Sequence, residues 1–290
     1  MIKKRLIISQ TAASANILKY YSDKDCLYYL KGPARKIFNK KAVNKNIELK
    51  NSLSKTNCIL LGTNSESKIE LELVQKVRDY NIKTVFILEH WYNLRKRFYL
   101  NNKKVCPTEI WVYDKKTYRT VKKFFFRNNT KIILKRNPYI KYLKNKIVFK
   151  KNNKIKKNCL YLCGSIFYHK DRIYSKIEKD SLNSFLNSVS FFLNNNYLIK
   201  VRKHPTDNYN SFVNLIKNKR IRISNSNNLE HDLNWADYVI GANTIALDYA
   251  NYVGKRTFSS ILNKKKNIQN FSMLHFNSLF KKIKIPKLKY

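Results

Sequence analysis

An apolar run that ends in a basic pair, a histidine and a proline opens the question of chemistry in this chain: Tyr197 to Val201, then Arg202, Lys203, His204 and Pro205. The run reads as a buried strand, and Pro205 cannot continue a sheet ladder. His204 therefore stands at a strand's carboxyl end, where open α/β folds collect their ligands, and Arg202, Lys203 and His204 at that place suit an anion. The other reading is a solvated charge cluster in which His204 caps a turn. A second stretch complements the first, running from Tyr238 through Gly241, Asn243 and Thr244 into a helical pattern. Gly241 permits a tight exit from a strand, and Asn243 or Thr244 can cap the following helix, whose free amides and positive dipole end suit a phosphate. A cationic loop and a helix start in the same half make a two-sided clamp for a nucleoside mono- or diphosphate.

The first half carries three further loops after apolar runs. Glu89 and His90 abruptly follow Val85–Leu88, and Arg95 and Arg97 come within two helical turns. A carboxylate at a strand end in an enclosed site can carry a raised pKa and accept a proton from a hydroxyl nucleophile. Its alternative is a hydrogen-bonded structural Glu–Arg pair, with Trp91 and Phe98 as packing. Thr63, Asn64 and Ser65 follow the run ending at Gly62, and Gln10, Thr11 and Ser14 follow the first run; simple helix capping is the plain reading of both groups.

Short β-branched runs alternating with helical periodicity must position these loops, which is the pattern of parallel sheets with crossover helices. Strands are expected at Arg5–Ser9, Cys58–Gly62, Thr84–Leu88, Glu109–Val112 and Lys131–Leu134. In the second half they are expected at Cys159–Cys163, Tyr197–Val201, Ile221–Ile223 and Tyr238–Ile240. Ser67 with Glu70 reads as a capping box, and Ile69, Leu73, Val77 and Tyr80 as the apolar stripe of the helix it starts. A second helix is expected through Asp180–Leu193. The basic, asparagine-rich stretch Lys144–Asn158 marks a domain boundary, giving residues 1–150 and 151–290. Two such α/β domains would face one another across a cleft.

The formal charge of +42, from 60 basic against 18 acidic residues, raises nucleic acid or anionic membrane as a partner. Only 13 of the basic residues are Arg and 47 are Lys. A chain also rich in Asn, Ile, Tyr and Phe fits the bias of an AT-rich genome, and no segment concentrates Arg with aromatic platforms, so nucleic acid is not the expected partner. The five scattered cysteines argue for a reducing compartment rather than a disulfide framework, with Cys159 and Cys163 as buried thiols rather than zinc ligands. No apolar stretch approaches a bilayer span, and the amino terminus is too short in apolar core for a signal peptide. A cytoplasmic protein is expected. The tail from Leu262 mixes Lys with Phe, Leu and Ile. It reads as a terminal helix crossing back onto the first domain, or as an amphipathic contact with anionic lipid at the inner face of a membrane.

With these motifs in hand, the second half resembles the donor-binding half of bacterial GT-B glycosyltransferases, in particular sialyltransferase-like and capsule or lipopolysaccharide Kdo-transferase-like enzymes of polysaccharide synthesis. The resemblance implies that His204 and Pro205 match the family's His-Pro motif at the phosphate of a CMP-sugar, and that Thr244 matches its hydroxyl position. The first half resembles such proteins through "LLGTNSESKIE", "ILEHWYNLRKRF" and "PTEIWVYD", although the family's acidic-acidic-glycine triplet is missing and Glu89 is only a positional substitute for its base. The fold this resemblance implies is α/β and GT-B-like, with two Rossmann-like domains, a first acceptor-side domain and a second donor domain. The expected activity is a metal- and cofactor-independent glycosyltransferase using a nucleotide-sugar donor and a glycan or lipid-linked glycan acceptor. Glu89 and His204 would act catalytically. Arg202, Lys203, Pro205, Gly241, Asn243 and Thr244 would hold the donor, and Gln10, Thr11, Thr63, Asn64, Ser65, His90 and Arg97 would line the acceptor side. Two alternatives stand beside it: an epimerase of the UDP-N-acetylglucosamine 2-epimerase type, and a basic nucleic-acid-binding protein.

Overall fold

The computed structural model describes residues 4–38, 53, 56–65, 67–148, 156–167, 172–216, 220–261 and 273–278. It divides into two compact units, Met1–Tyr139 and Ile140–Tyr290, where the composition shift sets the boundary at 150. Each unit is built on its own parallel sheet.

The first unit holds strands β1 (Lys4–Ser9), β2 (Leu27–Leu30), β3 (Thr56–Gly62), β4 (Lys83–Leu88), β7 (Glu109–Val112) and β8 (Lys131–Leu134), with β5 (Tyr99–Leu100) and β6 (Lys103–Lys104) as a separate hairpin. The six-stranded sheet runs β2-β1-β3-β4-β7-β8, all parallel. The chain leaves β1 for β2 on one side and then for β3 on the other, so the order reverses beside β1. Its helices are α1 (Ala12–Leu18), α2 (Ala34–Ile37), α3 (Ile69–Lys76), α4 (Leu94–Phe98) and α5 (Lys115–Phe124). Aliphatic residues alternating along the strands meet α3, α4 and α5 in one core that includes Ile8, Leu61, Phe86, Leu88, Phe98 and Val121. Removing those side chains from water is the main driving term for the unit.

The second unit repeats the scheme with five parallel strands, β9 (Lys157–Leu162), β10 (Tyr197–Arg202), β11 (Arg222–Ile223), β12 (Tyr238–Gly241) and β13 (Arg256–Ser259), in the order β11-β10-β9-β12-β13. Its helices are α6 (Pro138–Lys146), which begins at the division, then α7 (Arg172–Asn187), α8 (Val189–Asn194), α9 (Tyr209–Leu215), α10 (Leu229–Trp235) and α11 (Ile245–Tyr252). Aromatic rings dominate its core: Tyr161 stacks on Phe185 at 4.6 Å between centroids, and Phe192 and Phe276 close around them. The two Rossmann-like α/β units fulfil the expected fold class.

Several local expectations need correction. The helix expected over Asp180–Leu193 is two, α7 and α8, and it begins earlier; β2, β13 and the β5–β6 hairpin are strands that local pattern did not show. The capping box at Ser67 does not form. Helix α3 starts at Ile69 with Lys68 at the cap position, and Glu70 accepts from Gln10 Nε2 (2.8 Å) instead of turning back. The buried stripe of α3 is Leu71, Leu73, Val74 and Val77, while Tyr80 is 67% exposed. In the tail, residues 262–272 and 279–290 lie outside the described residues. Between them the chain returns to the second unit, where His275 bridges to Ser259 and Phe276 is fully buried. The five cysteines are free thiols, with Cys159 and Cys163 buried in β9 and just after it. Among the described residues no helix is long and apolar enough to cross a membrane.

One close approach has a measurable consequence. A Cβ on Gly62 would collide with Cβ and Oγ of Ser14, because β3 ends against the first turn of α1. Gly62→Ala is therefore expected to cost about 1–3 kcal/mol, the range for overpacking a core. A denaturation midpoint equal to wild type would show that α1 slides to make room.

Candidate functional site

In the second unit, strand register brings three loops to one edge. Leu162 pairs with Arg202 on one side and with Gly241 on the other, so β9, β10 and β12 end side by side. The chain passes from β9 to β10 on one flank and later to β12 on the opposite flank, and such a reversal is where open sheets leave room for a ligand beyond their carboxyl ends. The loops that emerge there carry Gly164 and Ser165, then Lys203 to Asp207, then Asn243 and Thr244.

Strand β10 stops at Arg202, and the Asp207 N–H donates to the His204 carbonyl (3.0 Å), closing a turn with Pro205 at its second position. Proline pre-sets the backbone angle that this position needs. His204 is half-buried, with Nδ1 beside Thr206 Oγ1 (2.7 Å) and the Thr206 N–H (3.4 Å). Thr206 has one hydroxyl proton and gives it to Ser165, so across the 2.7 Å contact the ring's Nδ1–H donates to Thr206 Oγ1, and Nε2 is a donor when the ring is protonated. Thr206 Oγ1 donates to Ser165 Oγ (3.3 Å), which joins the β10 turn to the β9 loop. Asp207, 3% exposed, completes that joint by accepting Ser165 Oγ (3.2 Å) and the N–H groups of Ile166 (3.1 Å) and Phe167 (3.2 Å).

On the other flank Thr244 is the N-cap of α11, accepting the Ala246 N–H at 3.4 Å. Thr244, not Asn243, therefore takes the cap. Gly241 allows close packing rather than a tight turn: a Cβ there would lie 2.8 Å from the Leu162 carbonyl oxygen. Beneath the loops lies Glu178 of α7, 1% exposed. Its Oε2 accepts the Gly164 N–H (3.0 Å) and its Oε1 the Asn243 N–H (2.8 Å), while Tyr174 Oη donates to the Asn243 carbonyl (2.6 Å). Burial pushes the Glu178 carboxyl up to about 7, against the lowering effect of the two N–H groups.

Of the three cations expected to face an anion, the structure gives two another task. Arg202 Nη1 pairs with Asp232 of α10 (2.6 Å) and donates to the Ser226 carbonyl (2.8 Å), so its guanidinium is a structural group. Lys203 Nζ folds onto its own turn, donating to the carbonyl of Asp207 (2.8 Å). His204, the third, packs its ring against Thr206 of the same turn. Sequence reasoning missed Ser165, Tyr174, Glu178 and Asp207. Glu178 had a signal: it shares the i, i+4, i+7 stripe with Leu182 and Phe185, a face where an acid is stable only if it is bound.

In the first unit the analogous edge lies beyond β1 and β3. Thr11 caps α1 and contacts Ser14 Oγ (2.7 Å), which also lies 3.0 Å from Ser9 Oγ. Gln10 Nε2 reaches across to Ser67 Oγ (2.8 Å) and to Glu70, whose carboxyl is raised by burial. Glu89, 7% exposed, accepts from Thr63 Oγ1 (3.3 Å) and pairs with Arg97 Nη1 (3.5 Å), which itself donates to Thr63 (2.6 Å). That is the Glu–Arg pair of the alternative reading, with Thr63 added. His90 is buried, accepts the Tyr92 N–H on Nδ1 (3.1 Å) and stacks on Trp91, whereas Asn64 and Ser65 continue the β3 loop half-buried.

No protein-family model and no curated protein matches the sequence. Solved structures do match in fold. The chain superimposes on a candidate UDP-N-acetylglucosamine 2-epimerase from Listeria monocytogenes with a TM-score of 0.57 and 8% identity, over 89% of this chain and 79% of that one. The S. aureus MnaA structure solved with UDP gives a TM-score of 0.61 and 10% identity, over 90% and 80%.

Proposed function

We propose that this chain is an enzyme of nucleotide-activated sugars, that it holds the donor's phosphates at the carboxyl ends of β9, β10 and β12, and that it transfers the sugar to a glycan acceptor. The observation that carries the reading is the meeting of the His204 turn, the Gly164–Ser165 loop and the capped start of α11 at the point where the second sheet reverses its strand order. A helix start suits phosphate, and an imidazole at the end of β10, across β9 from it, suits a leaving group that gains negative charge. The fold shared with MnaA in its UDP-bound structure supports a nucleoside diphosphate, and the His-Pro resemblance supports CMP as the other candidate.

In this mechanism the protonated His204 ring donates Nε2–H to the departing phosphate, while its Nδ1–H on Thr206 fixes the ring for that direction. Asn243 and Thr244 place the amides at the start of α11. The acceptor's base is not assigned to Glu89, because that carboxylate would first have to give up Arg97 and Thr63. An epimerase is the second reading, favoured by the Listeria structure's description. Product analysis with UDP-N-acetylglucosamine and no acceptor separates the two, since an epimerase needs none.

The first test is thermal denaturation with UDP, CMP, CDP, GDP and ATP. A nucleotide at a hundredfold over its Kd is expected to stabilise the protein by about 2.7 kcal/mol, because it binds the native state alone. If none of them raises the midpoint, the nucleotide-sugar reading falls.

A further inference from the structure

We infer that Glu178 is the positioning residue of the phosphate end of this site: its carboxylate holds the Gly164 and Asn243 loops in one register across the strand reversal, and nucleoside diphosphate affinity depends on that brace. The inference rests on the nucleotide reading of the site and adds to it the residue that shapes it.

The geometry leaves little freedom. Each carboxylate oxygen takes one backbone N–H, Gly164 from the loop after β9 and Asn243 from the loop after β12. Those two strands are hydrogen-bonded neighbours, and their loops depart on opposite sides of the reversal. Asn243 directly precedes Thr244, so the residue that Glu178 grips is the one that leads into α11. A Cβ on Gly164 would lie 2.5 Å from the Glu178 carboxyl carbon, so the loop approaches the carboxylate as closely as a glycine backbone permits. Tyr174, one turn earlier on α7, holds the carbonyl of the same Asn243. Two N–H donors on two oxygens is an arrangement for an ionised carboxylate, since a protonated one would present its own O–H to a donor.

Ionisation of this group near neutrality follows from its surroundings. Burial raises the carboxyl to about 7, Asp207 from the β10 turn adds to the rise, and Tyr174 and the two N–H groups oppose it. Cys163 and Tyr161 of the β9 segment also face it and stay neutral, both raised by burial. As pH rises through about 7, the brace gains its charge and tightens.

The test measures UDP affinity by calorimetry from pH 6 to 8 for wild type, Glu178→Gln and Glu178→Asp, with circular dichroism and thermal midpoints to confirm folding. Glutamine keeps the shape but turns an N–H donor toward one of the two amides. Glu178→Gln is expected to weaken UDP about tenfold or more at pH 8, the loss of one charge-assisted hydrogen bond. Its curve also lacks the rise through neutrality. The shorter acid in Glu178→Asp restores the pH-dependent component but not full affinity. Equal UDP affinity and equal pH profiles in wild type and Glu178→Gln overturn the inference. Should wild type bind none of UDP, CMP, CDP, GDP and ATP, the nucleotide reading fails by itself. The brace is then judged by hydrogen exchange at the Gly164 and Asn243 amides, where faster exchange in Glu178→Gln supports it and equal protection overturns it.

Discussion

His204→Ala lowers turnover of the nucleotide-sugar substrate by about a hundredfold or more while the protein stays folded. The size is that of losing a donor aimed at charge that develops in the transition state. The fold should survive because the turn is closed by backbone, the Asp207 N–H on the His204 carbonyl, and anchored by Asp207 and Lys203 rather than by the ring. Removing the imidazole frees Thr206 Oγ1, which keeps Ser165 as a partner. The decisive pair of measurements is kcat and the thermal midpoint of the same preparation. Wild-type kcat in this variant removes His204 from the mechanism, and an unfolded variant shows that the ring holds the turn.

Asp232→Ala is expected to be the most destabilising of these changes, by about 3 kcal/mol, because it strips the partner from two cations at once. Asp232 is 1% exposed and receives Arg202 Nη1, Lys200 Nζ (3.4 Å) and Ser224 Oγ (2.5 Å). Lys200 and Arg202 are themselves only 20% and 15% exposed in their side chains, so neither is freely rehydrated in place. Truncating Arg202 as well removes one orphaned charge and should recover part of the loss, the coupling expected of neighbours in one network. Urea denaturation of the single and double variants reads this directly. A single variant within about 0.5 kcal/mol of wild type, the range of an ordinary surface change, would mean that both cations find water and that Arg202 is available to a ligand after all.

Arg202 departs from the expected role for a simple reason. Along β10 buried and partly buried residues alternate, so Lys200 and Arg202 share a face while Lys203 already belongs to the turn. Period two therefore places Arg202 with Lys200, toward α10, and not with its sequence neighbours. The strand ends themselves were legible to within a residue: the runs expected to stop at Gly62, Leu88, Val201 and Ile240 stop at Gly62, Leu88, Arg202 and Gly241. So was a cap at Asn243 or Thr244, of which Thr244 takes it. Local pattern could not supply pairing at a distance. Strands β2 and β13 are four residues each and gain their identity from β1 and β12 beside them. Glu70 meets Gln10, 60 positions away, before it can close a capping box, and Glu178 is bound to Asn243 across 65 positions. Glu89 and Arg97 are only eight apart, yet Thr63, which bridges them, comes from the loop after β3.

The asparagines of this chain, which its composition alone would assign to nucleotide bias, are sorted by backbone geometry. Positions 81, 93, 101, 102 and 196 all have φ between 47° and 61°, a region where asparagine is tolerated far better than other side chains. Asn101 and Asn102 form the two-residue loop between β5 and β6, a turn that demands this conformation at both places. With only five glycines in 290 residues, two of them, Gly32 and Gly254, at positive φ, asparagine takes the other left-handed bends among the described residues. At these five positions asparagine thus supplies the sharp backbone reversal that glycine would otherwise be needed for.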